Sequence, residues 1–129
     1  MATKIPKGLK ITFLVHFVVS CVLGLLYLVI PVFYLEFIGW GALEIPIYRV
    51  VGASMIAFGV SSLLAWKAET WEKVEIVVEL EIVWTVLADI ALIWGMLVWP
   101  YPLIGWLYVG IMIAFTVLFI YFKIKQQTS

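Results

Sequence analysis

Little of this sequence is charged. Eight lysines and arginines and eight acids make up 12% of 129 residues, against 66% hydrophobic residues. A soluble domain of this length would need roughly twice that charged share to cover its surface. Lipid must therefore act as solvent for most of the exterior, in keeping with a mean hydropathy of +1.18. The formal net charge of +0 removes the electrostatic case for nucleic acid. The lysines are scattered, so no polybasic patch for a membrane surface is present either. Cysteine is nearly absent: Cys21 alone excludes an intrachain disulfide framework. One histidine and one cysteine cannot assemble a recognised zinc or haem ligand set, so no metal and no other cofactor is expected. Nucleophile-elbow, phosphate-loop and dinucleotide fingerprints are also missing, which argues against a membrane enzyme.

Long apolar runs fill the space that charge leaves. The stretches 9–30, 46–66, 74–98 and 102–122 each reach the ~20 residues needed to cross about 30 Å of hydrocarbon. Backbone polar groups cannot go unpaired in lipid, and these runs lack strand alternation, so each is expected to be a helix. The short connections at 67–73 and 99–101 make successive helices antiparallel neighbours. The expected fold is all-α: a single domain over 1–129, built as an antiparallel up-down-up-down four-helix transmembrane bundle. The longer connection, 31–45, mixes Phe33, Tyr34, Phe37, Ile38 and Trp40 with Glu36 and Glu44, the composition of a segment lying in the membrane interface.

Orientation follows from the lysines. Lys4, Lys7 and Lys10 precede the first span, Lys67 and Lys73 fall in the middle loop, and Lys123 and Lys125 follow the last. They agree if both termini and the middle loop are cytoplasmic, which makes this a multi-pass protein of the cytoplasmic membrane. Trp40, Trp66, Trp99 and Tyr101 fall near span ends, where an aromatic belt belongs. The apolar run after the N-terminal lysines is too long for a signal peptide. The lipoprotein-like box Val18-Val19-Ser20-Cys21 is followed by more apolar helix rather than a polar mature domain.

The third span is the exception to the shortage of charge, since it holds Glu75, Glu79, Glu81 and Asp89. Carboxylates at membrane depth are costly and mark function or a specific polar contact. Asp89 lies about 14 Å from Val98, close to the midplane. Glu75 and Glu79 read mainly as an interfacial first turn beside a positive helix N-terminus. Glu81, Thr85 and Asp89 form an i, i+4 ladder. Counting residues from the span ends makes Arg49 the expected charged partner of Asp89, with Ser54 as a hydrogen-bond donor near the same depth. His16 falls at the level of Glu79 and Glu81, with Ser20 one turn further along. On the second span, Ser54, Ala57, Ser61 and Ala65 form one small-residue face, while Gly52 and Gly59 lie on another, closer to Arg49. Both faces are expected to serve helix packing.

The run Tyr48-Arg49-Val50-Val51-Gly52-Ala53, followed by Gly59, resembles a pattern in short four-span prokaryotic membrane proteins of unknown-function families. The layout is also similar, with a proline after the first span and a tryptophan on the third. The resemblance implies a standalone four-span module and supplies no activity. The leading expectation is a small non-enzymatic integral membrane protein with a buried polar site around Asp89. It would act as an accessory subunit, or as a bundle that binds a partner or a lipophilic ligand. Its surroundings would be the lipid bilayer, a homo-oligomer or a larger membrane complex. The alternative is a proton-coupled small transporter or ion-conducting oligomer using Asp89, Glu81, Glu79 and His16.

Overall fold

In a computed structural model the described residues are 3–41 and 45–128. Ala42, Leu43 and Glu44, at the end of the expected interfacial segment, lie outside them. The described residues fold as helices α1 (Lys7–Val29), α2 (Pro31–Phe37), α3 (Ile45–Lys67), α4 (Trp71–Val98) and α5 (Ile104–Thr128). Among them the only β pairing is an isolated bridge between Lys4 and Thr70.

Prolines set most of the boundaries. Ile30 leaves the helical region (φ −128°, ψ 50°) because the ring of Pro31 crowds an α conformation there, and Pro31 then opens α2 at its first turn. Trp99 is extended (φ −118°, ψ 149°) ahead of Pro100, which ends α4. The interfacial stretch is therefore partly helix. α2 buries Pro31 and Leu35 and leaves Phe33 and Phe37 exposed, and the chain then turns at Gly39 and Gly41, whose φ values of 77° and 84° suit glycine.

Two expected span limits move. α4 starts at Trp71, three residues before 74, because Glu72 suits a helix first turn. There the N-terminal segment fastens it: the Trp71 amide donates to the Thr3 carbonyl at 2.8 Å, and the Thr3 amide donates to the Glu72 carboxylate at 3.2 Å. α5 begins at Ile104 and continues past Lys123 to Thr128, since nothing in its polar end breaks a helix. Three helices, Lys7–Val29, Pro46–Lys67 and Ile104–Thr128, are long and apolar enough to cross a membrane. α4 is longer, at 28 residues, but carries the acids.

The long helices associate chiefly as two pairs, α1 with α3 and α4 with α5. The α1–α3 seam is close because glycine lies on both sides of it: Gly24 faces Gly52, and Gly59 faces Cys21. Between the pairs, one end of the assembly is filled by apolar side chains, Leu9 and Phe13 of α1, Val74 and Val78 of α4, and Phe119 and Phe122 of α5. Filling stops at the level of His16. Beyond it, toward α2, the pairs leave a half-open cavity between them.

Candidate functional site

The buried stripe of α1 runs Leu9, Phe13, His16, Ser20, Gly24, at helical spacing, and that of α4 runs Trp71, Val74, Val78, Glu81, Thr85. His16 and Glu81 thus occupy places on inward faces that apolar residues hold one turn earlier. They meet where the packed end gives way to the cavity. His16 is 2% exposed and Glu81 is 0% exposed.

His16 has contacts on both ring nitrogens. Nδ1 lies 2.8 Å from the Ser62 hydroxyl on α3. Nε2 lies 3.2 Å from the Ser20 hydroxyl and 3.4 Å from the Glu81 carboxylate. The ring stands edge-on to Phe115 (4.8 Å, 88°) and Phe119 (5.7 Å, 80°) of α5, so all four long helices fix its plane. Glu81 is less well provided for. The His16 nitrogen is within ion-pair distance, yet neither carboxylate oxygen completes a hydrogen bond. A carboxylate cut off from water in this way needs a proton of its own or a charged imidazole beside it.

The cavity beyond this layer has a volume of about 360 Å³ and almost wholly apolar walls. His16, Ser20 and Phe115 close one end, and Trp40, Tyr48 and Tyr108 line the other. Aromatic packing holds that second end: Trp40 stacks on Tyr101 (4.7 Å, 11°) and meets Tyr108 edge-on (6.4 Å, 74°). The Tyr108 hydroxyl is buried and has no hydrogen-bond partner.

The remaining candidate residues divide among several places. Asp89 and Arg49 are not brought together. Thr116 of α5 donates to Asp89 Oδ2 at 2.7 Å, while Asp89 Oδ1 has no partner. Arg49 donates instead to the Leu28 carbonyl at 3.0 Å, across the α1–α3 seam. Ser54 turns back to the Val50 carbonyl at 3.0 Å and not to Asp89, as helical serines do when no better acceptor is within reach. Thr85 likewise donates to the Glu81 carbonyl at 2.8 Å. Glu79 does not join His16: it accepts from Lys123 at 2.6 Å, and Glu75 accepts from the same ammonium at 2.8 Å. Gly52 and Gly59 form the α1-facing side of α3, Ser61 donates to the Phe58 carbonyl at 2.7 Å, and Ala57 is exposed.

Of the sequence candidates, only His16 and Glu81 meet in the polar layer. Ser62, Thr116 and Tyr108 complete the picture and were not singled out as site residues. Ser62 carried a readable signal, since it lies five residues before Lys67 and His16 lies six past Lys10. In antiparallel helices that places them at one depth. Among the described residues, no group of three or more His, Cys, Asp or Glu side chains is arranged to hold a metal ion.

Residues 3–125 match the model of a domain of unknown function, DUF8292. No curated protein and no solved structure matches the chain.

Proposed function

We propose that this chain, which belongs to the DUF8292 family, is a small non-enzymatic integral membrane protein that holds a lipophilic ligand between its two helix pairs. The cavity of about 360 Å³ carries this reading: its walls are mostly apolar, with a few polar groups, Ser20 and His16 at one end and Tyr48 and Tyr108 at the other. Sites for small lipophilic molecules have this form, with a few placed polar groups in a hydrophobic lining. The polar centre is thus His16 and Glu81 rather than Asp89.

Membrane placement supports it. We take α4 as a fourth crossing beside the three apolar helices, giving an up-down-up-down bundle in the cytoplasmic membrane. Lys123 bridges Glu75 and Glu79 at one end of α4, which leaves Glu81 and Asp89 as the acids at depth. The lysine distribution puts both termini and the α3–α4 loop on the cytoplasmic side. Exposed Ser54 and Ala57 give α3 a small-residue outer face that suits a helix of a second copy or of a larger membrane complex.

Ala88 lines the cavity, and Ala88→Phe should fill it without altering the polar layer. Native mass spectrometry of protein extracted from membranes should show a lipid-soluble molecule retained by the wild type. In Ala88→Phe its occupancy should fall roughly tenfold or more, because a phenyl ring takes over its contacts. Equal occupancy in the two proteins, at equal helicity, would refute the reading.

The contact between His16 and the unsatisfied Glu81 favours a second reading, a proton-coupled transporter in which these two residues carry the proton. Proteoliposomes with an imposed pH gradient separate the two. Under this second reading, proton flux is lost in Glu81→Gln and kept in Asp89→Asn. A wild type that conducts no protons eliminates it.

A further inference from the structure

Of the polar side chains that line the cavity, which include Tyr27 and Tyr48, Ser20 stands near the His16 layer and Tyr108 toward α2. What each offers a ligand follows from its other contacts. With the imidazole proton on Nε2, the nitrogen that faces Glu81 at 3.4 Å, Nδ1 accepts from the Ser62 hydroxyl at 2.8 Å. Nε2–H then points at the Ser20 oxygen as well, 3.2 Å away, so Ser20 accepts from His16 and its own proton is free. The Tyr108 hydroxyl is buried and unpartnered. Both ends of the cavity therefore supply a donor that nothing among the described residues accepts.

Their separation can be judged from the helix geometry. The His16 and Phe115 rings are in contact, with centroids 4.8 Å apart, and so share a level. Ser20 is one turn from His16, about 6 Å, and Tyr108 is two turns from Phe115, about 10 Å, on the same side of that level. The backbone levels of the two residues thus differ by about 5 Å along the bundle axis. The gap between their hydroxyls is wider, since each side chain leans toward the N-terminus of its own helix and the two helices run in opposite directions. Trp84 also lines the cavity, near the level of Ser20, its ring held flat against Phe58 at 5.1 Å and 12°. A stacked indole is a platform for another flat ring.

We infer that the cavity takes a flat, lipid-soluble ring with a carbonyl oxygen at each end, the chemistry of a quinone head group, hydrogen-bonded by Ser20 and Tyr108. This rests on the reading of the cavity as a ligand site and names the ligand's class. An anionic head group is disfavoured, because the lining offers it no lysine or arginine. A cationic one gains no direct carboxylate contact, since Glu81 does not line the cavity. The hydroquinone form is the poorer fit, since it brings two further donors to a site that already supplies them.

The test is a titration of the detergent-solubilised protein, followed by native mass spectrometry. The probes are a benzoquinone carrying one isoprene unit, its hydroquinone, and laurate as a single-chain anionic lipid. The quinone should bind the wild type more tightly than either of the others. Tyr108→Phe and Ser20→Ala should each weaken it roughly three- to tenfold, the effect of one neutral hydrogen bond. Tyr108→Phe without ligand should melt no lower than the wild type, because it removes an unpaired buried hydroxyl. Unchanged quinone affinity in both variants, or equal or tighter binding of hydroquinone or laurate, overturns the assignment of class. Ala88→Phe separates the two levels of the argument. If it excludes every bound molecule while the hydroxyl variants do nothing, the cavity is a ligand site of another class. If it excludes none, the cavity reading falls as well.

Discussion

Replacing His16 with alanine while Glu81 stays in place should lower the stability of the detergent-solubilised protein by about 1–3 kcal/mol, the cost of leaving a buried polar group without its partner. Glu81 is 0% exposed and its carboxylate oxygens complete no good hydrogen bond among the described residues, so its polar support in this layer is the His16 nitrogen at 3.4 Å with the Ser62 hydroxyl beside it. The truncation also opens a void against Phe115 and Phe119, whose edges the imidazole meets. The double replacement His16→Leu with Glu81→Leu should behave differently. It removes both polar groups and keeps most of their volume, so it should melt within about 1 kcal/mol of the wild type or above it. Thermal unfolding followed by circular dichroism measures both. If His16→Ala melts with the wild type, Glu81 does not depend on the imidazole. If the double variant is as unstable as the single one, packing and not the carboxylate sets the cost.

This pair shows how far the sequence could be read. Hydropathy and the prolines are local signals, and most helix ends lie within a few residues of the expected limits, the C-terminal end of α5 excepted: the expected 9–30 is α1 at Lys7–Val29, and Pro31, Pro46 and Pro100 stand at boundaries. Charge in an apolar run is also local, and it brought Glu81, Asp89 and His16 to notice. Which of these meet is a matter of helix rotation, and residue counting gives depth only. Asp89 and Arg49 were matched on depth, yet Arg49 faces α1 and Asp89 faces Thr116 of α5. Glu79 and Glu81 are two residues apart, so they point to different sides of α4, one to Lys123 and the other to His16. The buried stripe Trp71, Val74, Val78 carries that rotation: extended by three and then four residues it reaches Glu81 and Thr85. Tyr108 gave no signal at all, because one tyrosine in an aromatic-rich span is ordinary until its hydroxyl is found without a partner.

The Tyr48–Ala53 run acquires a physical meaning from the α1–α3 seam, and it sets the other large effect. A Cβ added at Gly52 would lie 2.6 Å from the Gly24 carbonyl oxygen, 2.7 Å from the Leu28 nitrogen and 3.0 Å from the Tyr27 carbonyl carbon. All three are backbone atoms and cannot rotate aside, so Gly52→Ala has to push α1 and α3 apart. Overpacking of this kind costs about 1–3 kcal/mol and can exceed that range, and Gly52→Ala should stand at its upper end. Gly24→Ala should follow, against the Ile56 side chain at 2.7 Å and the Gly52 carbonyl oxygen at 2.8 Å. Gly59→Ala should cost least of the three, because its nearest neighbour, the Cys21 sulfur at 2.7 Å, can swing away. Gly110→Ala is the control: nothing lies within 4 Å of its Cβ, so helix propensity should raise stability by about 1 kcal/mol. Arg49 reinforces the same seam through the Leu28 carbonyl, one turn from Gly52. The seam also reaches the polar layer, since α1 carries His16 and Ser20 while α3 carries Ser62, 2.8 Å from the imidazole. Moving the helices apart by an ångström breaks that hydrogen bond and frees the ring that orients Ser20. Gly52→Ala should therefore lose ligand retention together with stability, whereas Gly110→Ala keeps both. Melting temperatures ranked in any other order would show that the α1–α3 contact is looser than these distances state.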